Sequence, residues 1–172
     1  MKRPMSIETA RLRIRWLKPG DAEFIYHLVN DPMWMHYIGD KNVSNLEDAK
    51  TYIETGPRNM YRNLGFGLNL VSLKENDTSI GICGLLKRET LDDVKIGFAL
   101  LPRFRRQGYA FEAATAVLER GRRDHNTSHV LAILTADNEA SKMLLTRLGF
   151  KYQNSFQREP KSGILDRYVI KL

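Results

Sequence analysis

Apolar and polar positions alternate with two different periods along the chain. Residues 11–17 alternate charged and apolar side chains, which predicts a strand with one buried face. Between residues 110 and 121 the apolar positions recur at intervals of three and four, the period of a helix that packs on one side. Residues 128–135 form a nearly continuous apolar run, typical of a strand buried on both faces. Strands and helices are therefore mixed throughout the chain.

Turn and capping residues separate the remaining elements. We predict a helix after Pro19, another that opens with a capping box at residues 44–47 and is interrupted at Gly56, and a later one capped by Asp137 or Asn138. Further strands are expected at 65–73, 79–90, 94–101, about 150–157 and about 164–171. The predicted order is β-α-α-β-β-β-α-β-α-β-β, and its natural packing is a mixed sheet with helices on both faces.

Composition excludes several classes of protein. The chain has 172 residues, which suits one domain. A single cysteine excludes a disulfide framework and a cysteine-based zinc cluster, and it suits a reducing compartment. No uncharged apolar run approaches the ~20 residues of a membrane span, so we expect a soluble cytoplasmic protein. The net charge of +7 allows a phosphate-rich cofactor, a nucleic acid, a ribosome or a membrane surface as partner, without choosing among them.

Residues 94–110 carry the strongest chemical signal. A predicted strand ends at Pro102, a basic turn follows, and a helix starts at Gly108. The first amides of a helix lack intrahelical acceptors and lie at the positive end of its dipole, so such a turn can bind an anion. Arg105 and Arg106 add positive charge to it. The residues predict a pyrophosphate-binding turn, and the alternative is a solvated basic loop that only caps the helix.

Familiar phosphate and metal motifs are absent from the sequence. It contains neither the G-x-x-x-x-G-K-[ST] pattern of a P-loop nor a G-x-G-x-x-G pattern after a strand. The four histidines do not have the spacing of metal ligands, so we predict no metal site. No recognised RNA-binding or DNA-binding motif accompanies the positive charge, so no direct nucleic-acid partner is expected.

Three segments together suggest a family. Residues 105–110 read Arg-Arg-Gln-Gly-Tyr-Ala, residues 138–150 begin with Asn and end with Gly-Phe, and residues 7–12 read Ile-Glu-Thr-Ala-Arg-Leu. The first resembles the [R/Q]-x-x-G-x-[G/A] signature of the GCN5-related N-acetyltransferase (GNAT) superfamily. The second is similar to that family's N-x-x-S-x-x-L helix, and the third looks like its RimJ/RimL-type ribosomal-protein branch. The resemblance covers essentially the whole chain and implies one domain over residues 1–172.

The resemblance implies an α+β fold and a place for acetyl-CoA. The family has a central mixed, mostly antiparallel sheet of about seven strands, with helices on both faces. Its fourth and fifth strands splay apart, here near residues 99–101 and 134–136. The pantetheine arm of acetyl-CoA is expected in that gap, bonded to the free backbone of the fourth strand like an added strand.

The residues implied to bind acetyl-CoA lie on three elements. Backbone of the fourth strand would hold the pantetheine, the basic turn would hold the pyrophosphate, and the start of the last helix would bond the amide region. The set is Leu100, Leu101, Arg105, Arg106, Gln107, Gly108, Tyr109, Ala110, Asn138 and Ser141.

The acid–base positions depart from the family's usual pattern. Lys95 stands where many members have a glutamate, and Leu145 stands where many have a tyrosine. Ser141 is a candidate donor to the leaving sulfur, with an ordinary helix serine as the alternative. Asp93 and Glu159 are candidate bases, and for Asp93 a plain turn aspartate is the alternative.

The implied activity is acetyl transfer from acetyl-CoA to a primary amine, by direct attack within a ternary complex. Neutralising a lysine of pKa about 10.4 at pH 7 costs about 4.6 kcal/mol, whereas an α-amine of pKa about 8 costs only about 1.4 kcal/mol. A site without a strong base therefore favours a protein N-terminal α-amine, for example that of a ribosomal protein. Trp34, His36 and Tyr37 are candidates for contact with the acceptor, or for partial core packing.

Other functions stay open at this stage. The acceptor could be a small amine, such as a polyamine, an amino sugar or an antibiotic. The altered acid–base positions also allow a regulator that binds acetyl-CoA without catalysis, and the charge allows a basic nucleic-acid binder. We expect a monomer or a homodimer.

Overall fold

The computed structural model describes residues 4–88 and 93–172. Within these ranges the strands are β1 (Ser6–Glu8), β2 (Leu12–Trp16), β3 (Leu68–Leu73), β4 (Ser79–Leu86), β5 (Val94–Leu100), β6 (His129–Thr135), β7 (Lys151–Phe156) and β8 (Leu165–Lys171). The α-helices are α1 (Ala22–Val29), α2 (Pro32–Tyr37), α3 (Leu46–Ile53), α4 (Asn59–Leu64), α5 (Tyr109–Asp124) and α6 (Glu139–Leu148). The predicted α+β class is confirmed.

The strands form one open sheet in the order β1-β2-β3-β4-β5-β6-β8-β7. Neighbouring strands run antiparallel, except that β5 and β6 run parallel. The parallel ladder contains only Val94 opposite Val130 and Lys95 opposite Leu131, whereas β5 pairs with β4 as far as Leu100. The predicted splay is thus present. It lies between the fifth and sixth strands because the short β1, which sequence patterning missed, raises the count from about seven to eight.

Helices cover both faces of the sheet, as predicted. On one face, Val117 of α5 and Leu145 of α6 belong to one hydrophobic cluster with the strands. On the other face, Ile25 of α1 belongs to a second cluster with α2 and α3. Successive strand residues point to opposite faces, so Leu70 joins the second cluster and Val71 the first.

Two short helices were absent from the sequence-based prediction. The Asp31 carboxylate accepts from the amides of Met33 and Trp34, so the segment predicted only to stop α1 also starts α2. The break expected at Gly56 does not end the helical path. A π turn from Glu54 to Arg58, with Pro57 inside it, carries the chain from α3 into α4.

Two further boundaries differ from their predictions. The cap of α3 is shifted by one residue, because Asn45 accepts from the Asp48 amide and Asp48 accepts from the Ser44 amide. The strand expected at 79–90 ends at Leu86, and residues 89 and 90 lie outside the described residues.

Tyr61 of α4 ties two strands together. Its side chain is 2% exposed, and its ring stacks on Trp16 with the ring centroids 4.5 Å apart. The Leu17 amide donates to the Tyr61 hydroxyl at 3.0 Å, and the hydroxyl donates to the Leu68 carbonyl. One phenol therefore satisfies a backbone donor beyond the end of β2 and a backbone acceptor at the start of β3.

Substituting Tyr61→Phe should keep the stack and remove both hydrogen bonds. Because a buried amide and carbonyl lose their partner, we expect the free energy of unfolding to fall by about 1–3 kcal/mol in urea denaturation. Tyr152→Phe is the matched control, since the Tyr152 hydroxyl bonds to Ser155 at an exposed position. It should change the free energy by less than ~0.5 kcal/mol. Equal effects of the two changes would contradict this account.

Candidate functional site

An open cleft of about 1050 Å³ lies where β5 and β6 separate. Its walls include residues 95–100 of β5 and 132–135 of β6, together with parts of α2, α5 and α6. Because the parallel ladder stops at Lys95, β5 presents an unpaired backbone edge to this cleft. Such an edge can accept an extended ligand as though it were another strand.

Many of the residues predicted for the site line this cleft. They are Trp34, Tyr37, Leu100, Arg105, Arg106, Gly108, Tyr109, Ala110, Asn138 and Ser141. The lining does not include the other predicted residues, which are Leu101, Gln107, His36, Asp93 and Glu159. Asp93 and Glu159 are exposed. Trp34 is 4% exposed and belongs to the second hydrophobic cluster, so its side chain is largely core.

The turn between β5 and α5 is shaped to present backbone amides. Arg106 has φ +60° and Gly108 has φ +82°, while Gln107 between them has no positive φ. Alternation of handedness turns successive amides toward one side and makes an anion-binding nest. The amides of Tyr109 and Ala110 follow as the first of α5, where they have no intrahelical acceptor. We call residues 105–110 the phosphate turn.

Arg11 secures the phosphate turn from outside the cleft. Its Nη1 donates to the Gln107 carbonyl at 3.0 Å, and its Nε donates to the Glu112 carboxylate at 2.7 Å. Its guanidinium lies 4.3 Å from the centroid of the Tyr109 ring. The Thr9 hydroxyl donates to the same carboxylate at 2.6 Å. Sequence reasoning missed this clamp, because nothing local connects Arg11 to residues about a hundred positions later.

Arg105 connects the phosphate turn to α2. Its Nε donates to the Leu100 carbonyl at 3.1 Å, and its Nη2 donates to Asp31 at 2.8 Å. That carboxylate is 8% exposed and also caps α2. Both contacts are internal, so Arg105 acts first as a brace of the cleft wall. Arg106, by contrast, is exposed at the cleft and has no ion-pair partner within residues 4–88 and 93–172.

The start of α6 forms the opposite wall. The Asn138 side-chain oxygen accepts from the Ser141 amide at 3.2 Å, so Asn138 caps the helix and keeps its amide NH₂ for a ligand. His36 lies beside the cleft and joins its walls, with its Nε2 2.8 Å from the Asp137 carboxylate. Arg147, which was not predicted, lines the cleft with its guanidinium 4.2 Å from the centroid of the Phe111 ring.

Four basic side chains line the far end of the cleft, and we call them the cationic cluster. They are Lys41, Arg88, Lys95 and Arg158. Burial, together with repulsion from the other three, lowers the pKa of Lys95 to about 8. Burial and the two arginines also lower the pKa of Lys41. Tyr52 borders the cluster, and burial raises the pKa of its phenol to about 12.

Neither Lys95 nor Leu145 can replace the glutamate and the tyrosine expected at these two positions. Leu145 is 1% exposed and packs in the core. Phenols that line the cleft come instead from Tyr37, Tyr52 and Tyr109. Among the described residues, the carboxylate in the cleft lining is that of Asp31, which is already engaged by Arg105.

Metal-binding and membrane-spanning features are both absent from residues 4–88 and 93–172. Within those ranges no three His, Cys, Asp or Glu side chains are grouped to hold a metal ion. No helix there is long and apolar enough to cross a membrane.

Comparison with known proteins gives consistent matches. Residues 11–151 match the family described as acetyltransferase (GNAT) domain. YoaA, an uncharacterised N-acetyltransferase of Bacillus subtilis, is 29% identical over 166 residues, covering 95% of this chain and 87% of YoaA.

Solved structures share the fold. A GNAT-family acetyltransferase from Bacillus anthracis has a TM-score of 0.80 at 24% identity, covering 97% of this chain and 98% of that one. RimL, a ribosomal-protein alpha-N-acetyltransferase, has a TM-score of 0.84 at 15% identity, covering 98% and 95%. Its complex with coenzyme A has a TM-score of 0.80 at 16% identity, covering 98% of each chain. At these identities the likeness concerns the fold.

Replacing Lys95 by methionine should stabilise the protein at neutral pH. The folded pKa of about 8 lies below the ordinary 10.5, so the unfolded chain binds more protons between these values. The free energy of unfolding of the native sequence therefore rises with pH across that window. We expect Lys95→Met to raise it by roughly 1–3 kcal/mol at pH 7, with the gain shrinking between pH 8 and pH 10.5.

Urea denaturation at intervals from pH 7 to pH 10.5 measures this difference. Lys151→Met is the control, since Lys151 is exposed on β7. The free energy of unfolding of Lys151→Met should stay within ~0.5 kcal/mol of that of the native sequence, with no trend in the difference with pH. A Lys95→Met curve parallel to that of the native protein would contradict the buried charge.

Proposed function

Because this chain belongs to the GNAT acetyltransferase family, we propose that it transfers the acetyl group of acetyl-CoA directly to a protein N-terminal α-amine. The observation that carries the proposal is the cleft itself. It joins an unpaired β5 edge to the phosphate turn, and both lie within one continuous lining. RimL, whose fold this chain shares, is described as a ribosomal-protein alpha-N-acetyltransferase, which supports an acceptor of that class.

The residues present fit acetyl-CoA. The amides of residues 107–110 and the exposed Arg106 would hold the pyrophosphate, since the turn offers amide donors at the positive end of α5. The open edge of β5 beyond Lys95 would bond the amides of the pantetheine arm. The free NH₂ of Asn138 would bond an acceptor in the same arm. When bound, acetyl-CoA supplies an activated thioester.

The surroundings of the transfer point favour a neutral amine. A β5 amide on the open edge can donate to the thioester carbonyl and stabilise negative charge there, a contribution of about 3 kcal/mol. The cationic cluster disfavours an ammonium for the same reason that it lowers the pKa of Lys95. An α-amine with an ordinary pKa of about 8 then loses its proton at little cost and without a strong base.

Polyamines and aminoglycoside antibiotics fit this surface less well. They carry several positive charges, and the described lining of the cleft offers one carboxylate, Asp31, which is already paired with Arg105. Like charges brought together in a partly buried site repel each other. An α-amine on a peptide therefore suits the site better than a polycation.

Calorimetric titration with acetyl-CoA tests the phosphate turn. The native protein should bind at one site, and Gly108→Trp should lose binding by at least tenfold. A side chain at φ +82° is strained and its Cβ would lie 3.3 Å from Arg11 Nη2, so the turn would have to rearrange. Gly20→Trp is the control, because a Cβ there meets nothing within 4 Å. Retained binding in Gly108→Trp would contradict the assigned turn.

Release of the CoA thiol with peptide acceptors tests the transfer. We expect peptide amides with a free α-amine to release CoA and to become acetylated at that amine, with a rate that rises toward pH 8 as the amine loses its proton. The control peptides have a blocked N-terminus and contain one lysine, so that the lysine side chain is their only amine. They should react much more slowly. Binding without release for any amine would instead indicate a regulator that senses acetyl-CoA.

A further inference from the structure

The cationic cluster is assembled from four separate parts of the chain. Lys41 comes from the loop between α2 and α3, Arg88 follows β4, Lys95 lies on β5, and Arg158 comes from the loop between β7 and β8. Leu86 and Lys95 are paired across β4 and β5, which brings the end of β4 beside Lys95. The tertiary fold, and not a basic stretch of sequence, therefore concentrates this charge.

The cationic cluster stands apart from the phosphate turn. Lys95 is five residues before Leu100 on β5, which corresponds to about 17 Å along a strand. The phosphate turn begins only after Leu100. A pyrophosphate held by the turn is therefore too far away to neutralise the cluster. With the pyrophosphate at the turn, the end of the cleft around Lys95 would be left for the acceptor.

The positive charges of the cluster are not balanced within the described residues. The charged groups that act on Lys95 are Arg88, Arg158 and Lys41, all of the same sign. Those acting on Lys41 are again the two arginines. Elsewhere in the protein the partly buried Arg15 has a carboxylate partner in Asp21. Lys41, Arg88 and Lys95 are partly desolvated, and cations of this kind without a counter-charge among the described residues are unfavourable unless an anion enters between them.

Resting on the proposed function, we infer that the acceptor is an N-terminal segment with acidic residues directly after the reacting α-amine. Its carboxylates would lie among Lys41, Arg88 and Arg158, while the amine points to the open edge of β5. Guanidinium groups pair with carboxylates through two parallel hydrogen bonds, so the two arginines provide orientation as well as charge. Lys95 is the innermost cation. Two acceptor carboxylates would offset two of the four positive charges of the cluster, so a net positive charge would still disfavour an ammonium.

Paired peptide amides test this inference. Two tetrapeptide amides begin with the same serine and continue with either two aspartates or two asparagines, so they differ in charge and hardly in shape. We expect the acidic peptide to bind protein saturated with CoA at least tenfold more tightly, and to show a correspondingly higher kcat/KM with acetyl-CoA. The preference should shrink at high salt, because exposed arginines are screened.

Variants locate the source of the preference. Arg88→Gln and Arg158→Gln should each reduce the preference for the acidic peptide several-fold, and the double variant should abolish it. Calorimetric affinity for acetyl-CoA should stay unchanged in these variants, because neither arginine belongs to the phosphate turn. Arg122→Gln is the matched control. It removes the same charge from an exposed position of α5, where Arg122 pairs with Glu119, and it should keep the full preference.

The outcomes separate this inference from the proposed function. Equal binding of the acidic and neutral peptides overturns the inference, whether or not either is acetylated. Acetylation of both at equal rates overturns it as well and leaves the proposed function standing. Selective binding of the acidic peptide without acetylation supports the anion site and overturns the proposed transfer. If a free amino acid binds more tightly than both its amide and the acidic peptide, the cationic cluster binds an α-carboxylate. That result would overturn the assignment of a peptide acceptor.

Discussion

Two rungs of parallel ladder hold β5 against β6, at Val94 and at Lys95, and beyond them no strand within residues 4–88 and 93–172 pairs with β5 on that side. Backbone amides and carbonyls that are neither paired nor solvated are costly, so an edge of this kind must face water or a ligand. The rest of the site depends on this constraint. The cleft exists because the strands part, and its floor is the β5 edge. One end of the cleft holds the cationic cluster around Lys95, and the other holds the phosphate turn beyond Leu100.

Side chains on both sides of the phosphate turn hold it in position next to the open edge of β5. Arg11 holds the phosphate turn from the side of β2 through the Gln107 carbonyl, and Arg105 holds it from the side of α2 through Asp31. A nest of amides binds an anion well only if the amides need not reorganise, and the hydrogen bonds of Arg11 and Arg105 hold them in place. The positive charge of the turn is therefore divided between residues that shape it and those, such as Arg106, that stand free at the cleft.

The far end of the cleft uses charge differently. Many GNAT proteins have a glutamate where this chain has Lys95. Lys95 lies among other cations, so the charge at this position is positive instead of negative. A carboxylate would attract the proton of the acceptor amine, whereas a cationic surround makes the ammonium form unfavourable from the start. Either arrangement would favour a neutral amine. In this chain Lys95, Lys41 and Arg88 have no carboxylate partner among the described residues.

Short windows of sequence predicted β2 from its alternation, α5 from its helical period, and the turn at Gly108 between strand and helix. These features depend on near neighbours along the chain. Short windows did not predict the six-residue helix α2, nor the role of Tyr61, which bonds to the backbone near two strands. The sequence also did not predict the contacts of Arg11 with the phosphate turn or the three cations around Lys95. Their partners lie tens to a hundred residues away, and only the packing of strands and helices around one sheet decides which distant side chains meet.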